Sequence, residues 1–307
     1  MPLDPQAQTL LEQMKAMGFT YTSDLTVTRA REMLQAMQAV RPDGEQVAHV
    51  EDRMIPGPAG EIPIRIYTPR GNGPFPILVF FHTGGWQVGD LNTQDPLCRR
   101  LTNRSECIVV SVEYRLAPEH PFPAAPEDSY AATQWVATHA AEFQGDPSRI
   151  AVSGDSSGGN LATVVALMAR DQNGPKLVFQ VLLFPATDFR LSTPSMEELG
   201  EGYNVTKPQM IWIRNNYLPI VADWTNPLAS PLLTPNLSNL PPALIIYAEY
   251  DPLRDDAKAY AARLKEAGVS VKASRYDGMI HDFIDLFEEP GNRALDEIAS
   301  ALQAVFG

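Results

Sequence analysis

The sequence predicts an α/β protein: a mostly parallel central sheet flanked by helices on both faces, with a helical insertion late in the chain. Three observations carry that prediction. From residue 76 onward, short apolar runs alternate with longer amphipathic stretches, which is the pattern of a sheet covered on both sides. Ahead of them, two extended segments flank a Pro-Gly turn. Between about residues 190 and 228 the alternation stops, in a segment rich in methionine and aromatic residues.

The elements follow in order. Residues 5 to 40 contain QTLLEQMKAM and TVTRAREMLQAMQAV, whose apolar residues recur at spacings of three and four, so helices are expected there. In VEDRMIPGPAGEIPIRIYTP, Ile62, Ile64 and Ile66 alternate as in a half-buried strand. The buried runs are PILVFF, CIVVSV, RIAVSG, LVFQVLLF, ALIIYAEY and VSVKASRY. Helices are expected between them near residues 94–104, 124–143, 157–170 and 256–267. No internal repeat or low-complexity segment is visible.

Bulk properties exclude several function classes. A formal net charge of −13 over 307 residues, with no cluster of lysine and arginine, argues against nucleic acid and against anionic membrane surfaces. Two cysteines, Cys98 and Cys107, read as buried free thiols in a reducing compartment and cannot build a metal site without nearby histidines. The first residues, MPLDPQAQTLLEQ, lack the basic and apolar regions of a secretory leader, and no run of about 18 apolar residues occurs, so a cytoplasmic protein is expected. The sequence leaves a homodimer open.

RIAVSGDSSGGNLATVVALMAR sets Gly154-Asp155-Ser156-Ser157-Gly158 directly after an apolar run and directly before a helix. A GxSxG string alone is weak, because small residues gather in many turns. A sharp strand-to-helix turn is the context in which such a serine becomes an exposed nucleophile, since the glycines let the backbones close up. The alternative is a structural turn capped by serine. GDSSGG also resembles the GDSGG of chymotrypsin-like proteases with one serine inserted, but those are disulfide-rich β-barrels whose histidine precedes the serine.

A serine nucleophile requires a base, and the base requires a carboxylate that fixes its tautomer. Of five histidines, His49 and His139 read as surface residues and His120, in APEHPFP, as structural, while His82 lies in the turn FHTGGW. His281, in YDGMIHDF after the last apolar run, stands where a chain order of serine, acid, histidine requires the base. Asp251 follows ALIIYAEY at the strand edge that faces the ligand crevice of open α/β sheets. Asp188, which also ends a strand, competes for that role. Asp255 and Asp256 read as first-turn helix residues, and Asp282 is expected to point away from its neighbour His281.

With these residues in place, the chain resembles the bacterial hormone-sensitive-lipase-like esterases of the α/β-hydrolase fold over nearly its whole length. The segment VSVEYRLAPEHPFPAAPEDSYAATQWV carries most of the likeness, and HTGGW, GDSSGGN, FPATD and YDPLRD follow the family's order. The resemblance implies a helical cap of residues 1–45 and 190–228 over a catalytic core of 46–189 and 229–307. It implies hydrolysis of short-chain esters by Ser156, His281 and Asp251, with no cofactor and no metal. By position, the oxyanion donors would be the backbone N–H groups of Gly84, Gly85 and Ser157. Two departures stand out: Thr83 replaces the first glycine of the family's HGGG, and Ser157 replaces an alanine. A β-branched residue is strained at positive φ, so Thr83 is expected at negative φ, as a tuning position beside an intact oxyanion turn. Trp86, Tyr203, Met210, Ile211 and Trp212 are the candidates for lining the substrate pocket.

Other functions on this frame remain to be separated. Plant gibberellin receptors resemble the same family but lack the catalytic histidine, whereas His281 is present here. Amide or lactone hydrolysis would use the same constellation.

Overall fold

The apolar runs of the sequence become strands of one sheet. A computed structural model describes residues 1–16, 26–39 and 44–307. Helices α1 (Pro5–Ala16) and α2 (Val27–Ala39) come first, then strands β1 (His49–Gly57) and β2 (Gly60–Thr68). Three strand–helix units follow: β3 (Phe75–Phe81) with α3 (Asp95–Ser105), β4 (Ile108–Val112) with α4 (Ala124–His139), and β5 (Gly145–Asp155) with α5 (Ser157–Asp171). Strand β6 (Leu177–Leu183) leads into the insertion, which carries α6 (Pro194–Glu198) and α7 (Lys207–Tyr217). The chain then runs through β7 (Ala243–Tyr250), α8 (Arg254–Glu266), β8 (Val271–Ile280), α9 (Phe283–Leu286) and α10 (Glu288–Phe306).

The strand order is β1-β2-β4-β3-β5-β6-β7-β8. Strands β1 and β2 pair antiparallel, as do β2 and β4, and every later pairing is parallel. Because β4 lies on one side of β3 and β5 on the other, the order reverses there, which opens a crevice at the carboxyl ends of these strands. Register decides what meets in that crevice. Phe81 pairs with Gly154, so the loop after β3 and the loop after β5 leave the sheet side by side. Tyr250 pairs with Ile280, so the next residues, Asp251 and His281, also emerge together.

Alternate side chains of each strand feed opposite faces. Ile77, Val79, Phe81, Val110 and Val152 pack with α4, α5 and α8, while Leu78, Phe80, Val109, Ala151 and Val181 pack with α3 and α10. Each large apolar side chain buried this way contributes about 1.5–3 kcal/mol. Helix α5 lies deepest, with every residue from Ser157 to Ala169 buried, so the turn preceding it is held on a rigid support.

Arg115 and Asp128 clamp the loop between β4 and α4. The buried Asp128 carboxylate accepts hydrogen bonds from the Arg115 backbone N–H and from its Nε and Nη2, all at 2.8–2.9 Å. The loop in turn holds the segment after β3: Ala117 N–H donates to the Trp86 carbonyl at 2.8 Å. This is the structural work of the EYRLAPEHPFPAAPED segment. Arg31 of α2 reaches the same region, donating from Nε to the Gln87 carbonyl at 2.8 Å and pairing with Glu119.

Two elements differ from expectation. Helix α10 is not among the expected helices; Pro290 and Gly291 both sit in its first turn, where proline forfeits no hydrogen bond. Strand β8 continues past Tyr276 through Gly278, at φ 74°, to Ile280, so His281 stands at a strand end and not within a long loop. The helices expected within 5–40 occur at α1 and α2, and residues 17–25 and 40–43 of that stretch lie outside the described residues. Among the described residues, no helix is long and apolar enough to cross a membrane.

Candidate active site

Strand β5 ends at Asp155 and α5 begins at Ser157, which leaves Ser156 alone at the corner with φ 54° and ψ −111°. A non-glycine residue holds such a conformation only when its surroundings impose it. They do so here. A Cβ on Gly158 would lie 1.8 Å from the Phe81 carbonyl oxygen, so only glycine lets α5 approach β3 this closely. The corner lifts the Ser156 side chain out of the sheet and into the crevice.

His281 and Asp251 complete a hydrogen-bonded line with Ser156. His281 Nε2 lies 3.0 Å from Ser156 Oγ, and Nδ1 lies 2.6 Å from Asp251 Oδ2. A carboxylate only accepts, so Nδ1 carries the proton and donates it to Asp251, while the Nε2 lone pair accepts from the Ser156 hydroxyl. Asp251 is fully buried, and its other oxygen accepts the Leu253 N–H at 2.8 Å, which fixes the carboxylate in place. The edge of Phe184 packs on the imidazole, with centroids 4.8 Å apart. Burial pulls the imidazole pKa down, but the negative charges of Asp251, Asp282 and Asp155 outweigh it and lift the value to about 9.

The competing carboxylates are otherwise engaged. Asp188 holds Arg190 through both of its oxygens, the shortest contact being 2.6 Å. Asp256 accepts the Thr187 and Asp188 N–H groups, and Asp255 pairs with Arg254 and caps Ser195. Asp282 corrects the expectation from sequence. It does not turn away: its Oδ1 lies 3.5 Å from His281 Nε2, because its left-handed backbone, φ 65°, swings the side chain back toward the ring.

The turn after β3 lies beside Ser156. Gly84 and Gly85 take φ 118° and 60°, and a Cβ on Gly84 would lie 2.0 Å from the Val88 carbonyl oxygen. Both positions therefore require glycine. Thr83, by contrast, keeps a negative φ, as its β-branched side chain demands. Gly84 N–H has no partner among the described residues, and Ser157 N–H is one of the first-turn donors a helix leaves unsatisfied. Gly85 N–H donates to Ser157 Oγ at 3.1 Å, so the serine that replaces the usual alanine engages one of the three donors. His82 beneath the turn is buried and stacked on Tyr114, and its pKa is lowered to about 4 by burial, which keeps it neutral.

A cavity of about 150 Å³ opens over these groups. Thr83, Gly84, Gly85, Ser156, Met210, Trp212 and His281 line it. Tyr203 and Ile211 do not. Tyr203 packs on Tyr250, and Ile211 packs partly buried against the core. Trp86 belongs to the lining, yet its ring is buried under α7, stacked on Tyr217 at 4.5 Å. Val205, Gln209 and Ile213 line the cavity unforeseen, although Gln209 and Ile213 follow Val205 at the helical spacing of four. A larger, more open cleft of about 510 Å³ lies elsewhere, lined by Arg31, Glu61, Glu113 and Arg115, and Ser156 is not part of it.

A family model described as alpha/beta hydrolase fold matches residues 78–285. Carboxylic ester hydrolase LipN of Mycobacterium tuberculosis is 44% identical, over 98% of this chain and 83% of the relative. The arylesterase of Saccharolobus solfataricus is 37% identical, over 92% of this chain and 93% of its own. Among solved structures, a hyperthermophilic esterase from Pyrobaculum calidifontis superposes with a TM-score of 0.94 at 42% identity, covering 99% of both chains. The chain belongs to the hormone-sensitive-lipase-like esterases of the α/β-hydrolase superfamily.

Proposed function

We propose that this carboxylic ester hydrolase cleaves short-chain acyl esters through Ser156, His281 and Asp251, by way of an acyl-enzyme. The observation that carries this reading is the unbroken line Ser156 Oγ–His281 Nε2 and His281 Nδ1–Asp251 Oδ2, at 3.0 and 2.6 Å, on the floor of the cavity. His281 Nε2 takes the Ser156 proton as Oγ attacks the ester carbonyl, and Asp251 stabilises the imidazolium that forms. The N–H groups of Gly84, Gly85 and Ser157 receive the developing oxyanion, each such donor being worth about 3 kcal/mol in the transition state. Nε2–H then protonates the departing alcohol, and water repeats the attack on the acyl-enzyme.

Cavity size supports short acyl chains. About 150 Å³ matches a void that holds a benzene ring and falls well below drug-sized pockets. Residues 1–45 and 190–228 form the cap in this reading, with Met210 and Trp212 of α7 over the site and Arg31 of α2 tied to the turn after β3. The two buried free thiols, Cys98 and Cys107, favour a reducing compartment and hence the cytoplasm.

A series of p-nitrophenyl esters from acetate to dodecanoate, set against matched anilides, tests the substrate class. kcat/KM is expected to peak at chains of about two to six carbons, with anilides slower by orders of magnitude. A maximum at long chains, or anilides turned over as fast as esters, would rule the reading out.

The pH dependence follows from the base. His281 acts only when neutral, and its pKa is raised to about 9. kcat/KM should therefore rise with pH along an acid limb displaced upward from the ordinary imidazole value of ~6.5 toward 9. A pH–rate profile with its acid limb at or below ~6.5 contradicts this electrostatic account.

A further inference from the structure

One side chain in the cavity takes no part in the line from Ser156 to Asp251. The Asp282 Oδ1 atom lies 3.5 Å from His281 Nε2 and is buried without a hydrogen-bond partner among the described residues. Its Oδ2 receives only a long contact, 3.5 Å, from Asn204 Nδ2, whose better bond goes to the His281 carbonyl at 3.1 Å. Among the described residues, Asp282 is the sole carboxylate lining the cavity, and neither lysine nor arginine lines it. Asp251 holds the far side of the ring through Nδ1, at 2.6 Å. Asp285, one turn on, lies 3.9 Å from Arg100, on residues that do not line the cavity.

The position of Asp282 relative to the chemistry decides its effect. Nε2 is the atom that hands a proton to the leaving alcohol, so the ester oxygen of a bound substrate stands about 3 Å from it. Substituents of the alcohol must then pass close to Asp282 Oδ1. Resting on the hydrolase reading above, we propose that Asp282 is a specificity-determining residue for the alcohol half of the ester, favouring alcohols that carry a cation and rejecting those that carry an anion. A quaternary ammonium two carbons from the ester oxygen would come within about 5 Å of the carboxylate. The attraction at that range is several-fold larger than between fully solvated charges, and salt weakens it because the side chain is 32% exposed.

Acetylcholine and 3,3-dimethylbutyl acetate have nearly the same shape and differ in charge, so their ratio of kcat/KM isolates the electrostatic contribution. The pair is to be measured at pH about 9 and low ionic strength, in wild type and in Asp282→Asn. Asparagine is nearly isosteric and tolerates the left-handed backbone at this position. The acetylcholine-to-neutral ratio is expected to fall about tenfold in the variant, and to fall in the wild type when salt is added. The absolute rate on the neutral ester is expected to shift as well, because Asp282 lies 3.5 Å from His281 Nε2 and raises its pKa, so the ratio of the two esters within one protein is the readout. A ratio that stays put in the variant, whatever its absolute rate, overturns this inference and leaves the hydrolase reading standing. Failure of the wild type to hydrolyse either ester overturns the hydrolase reading and this inference with it.

Discussion

Replacing Ser156 with alanine should lower kcat/KM for a short p-nitrophenyl ester by about 10⁵–10⁶-fold, with the fold intact. The loss is large because the serine oxygen is the atom that bonds to the acyl carbon. No neighbouring group is placed to substitute for it. Ser157 is adjacent in sequence, but it is buried, its hydroxyl accepts the Gly85 N–H, and His281 Nε2 bonds to Ser156 Oγ. Residual activity should come from the oxyanion donors and from binding alone, which in triad hydrolases is worth about 10³–10⁴ over water. Thermal unfolding should change little, since alanine inherits the same strained corner and the glycine contacts around it are untouched. Activity of the Ser156→Ala protein within tenfold of wild type would remove the proposed nucleophile.

The second large effect is expected at Asp251. Asparagine there keeps the shape but presents an amide to Nδ1, so the imidazole is held in the wrong tautomer and its developing charge is uncompensated. A loss of about 10⁴ in kcat is expected, the size this substitution has where a triad aspartate is replaced. Asp188→Asn supplies the contrast, because the Asp188 carboxylate is already occupied by Arg190 and lies outside the hydrogen bonds of His281. That variant should retain activity within about tenfold of wild type while losing some stability, as the pair between the buried Asp188 carboxylate and the half-exposed Arg190 is weakened. The reverse ordering of the two variants would give the orienting role to Asp188.

How much of this was legible in the sequence depended on how local each determinant is. The corner at Ser156 was readable because its requirement, glycine two residues to either side between an apolar run and a helix, is written within five residues. Asp251 and His281 were readable because each follows a strand end, and paired strand ends bring the residues after them together without further information. Thr83 was readable from steric limits on φ alone. What escaped depended on tertiary packing. Which face of α7 covers the cavity is set by how the insertion settles on the core, so Met210 and Trp212 line the cavity while Ile211 and Tyr203 do not. The carboxylate of Asp282 was misjudged because its direction follows from one left-handed residue, which the string HDF does not disclose. The hydroxyl of Ser157 against Gly85 N–H is a contact between the first residue of α5 and a turn 72 residues earlier, beyond any local pattern.

Treatment with diethyl p-nitrophenyl phosphate, followed by peptide mass spectrometry, tests the central claim most directly. The phosphate ester should release one equivalent of p-nitrophenol per chain and leave a single diethylphosphoryl group on Ser156 Oγ, and the Ser156→Ala protein should take up none. A stoichiometric adduct on Ser157, or labelling that persists in Ser156→Ala, would contradict the assignment of Ser156 as the nucleophile.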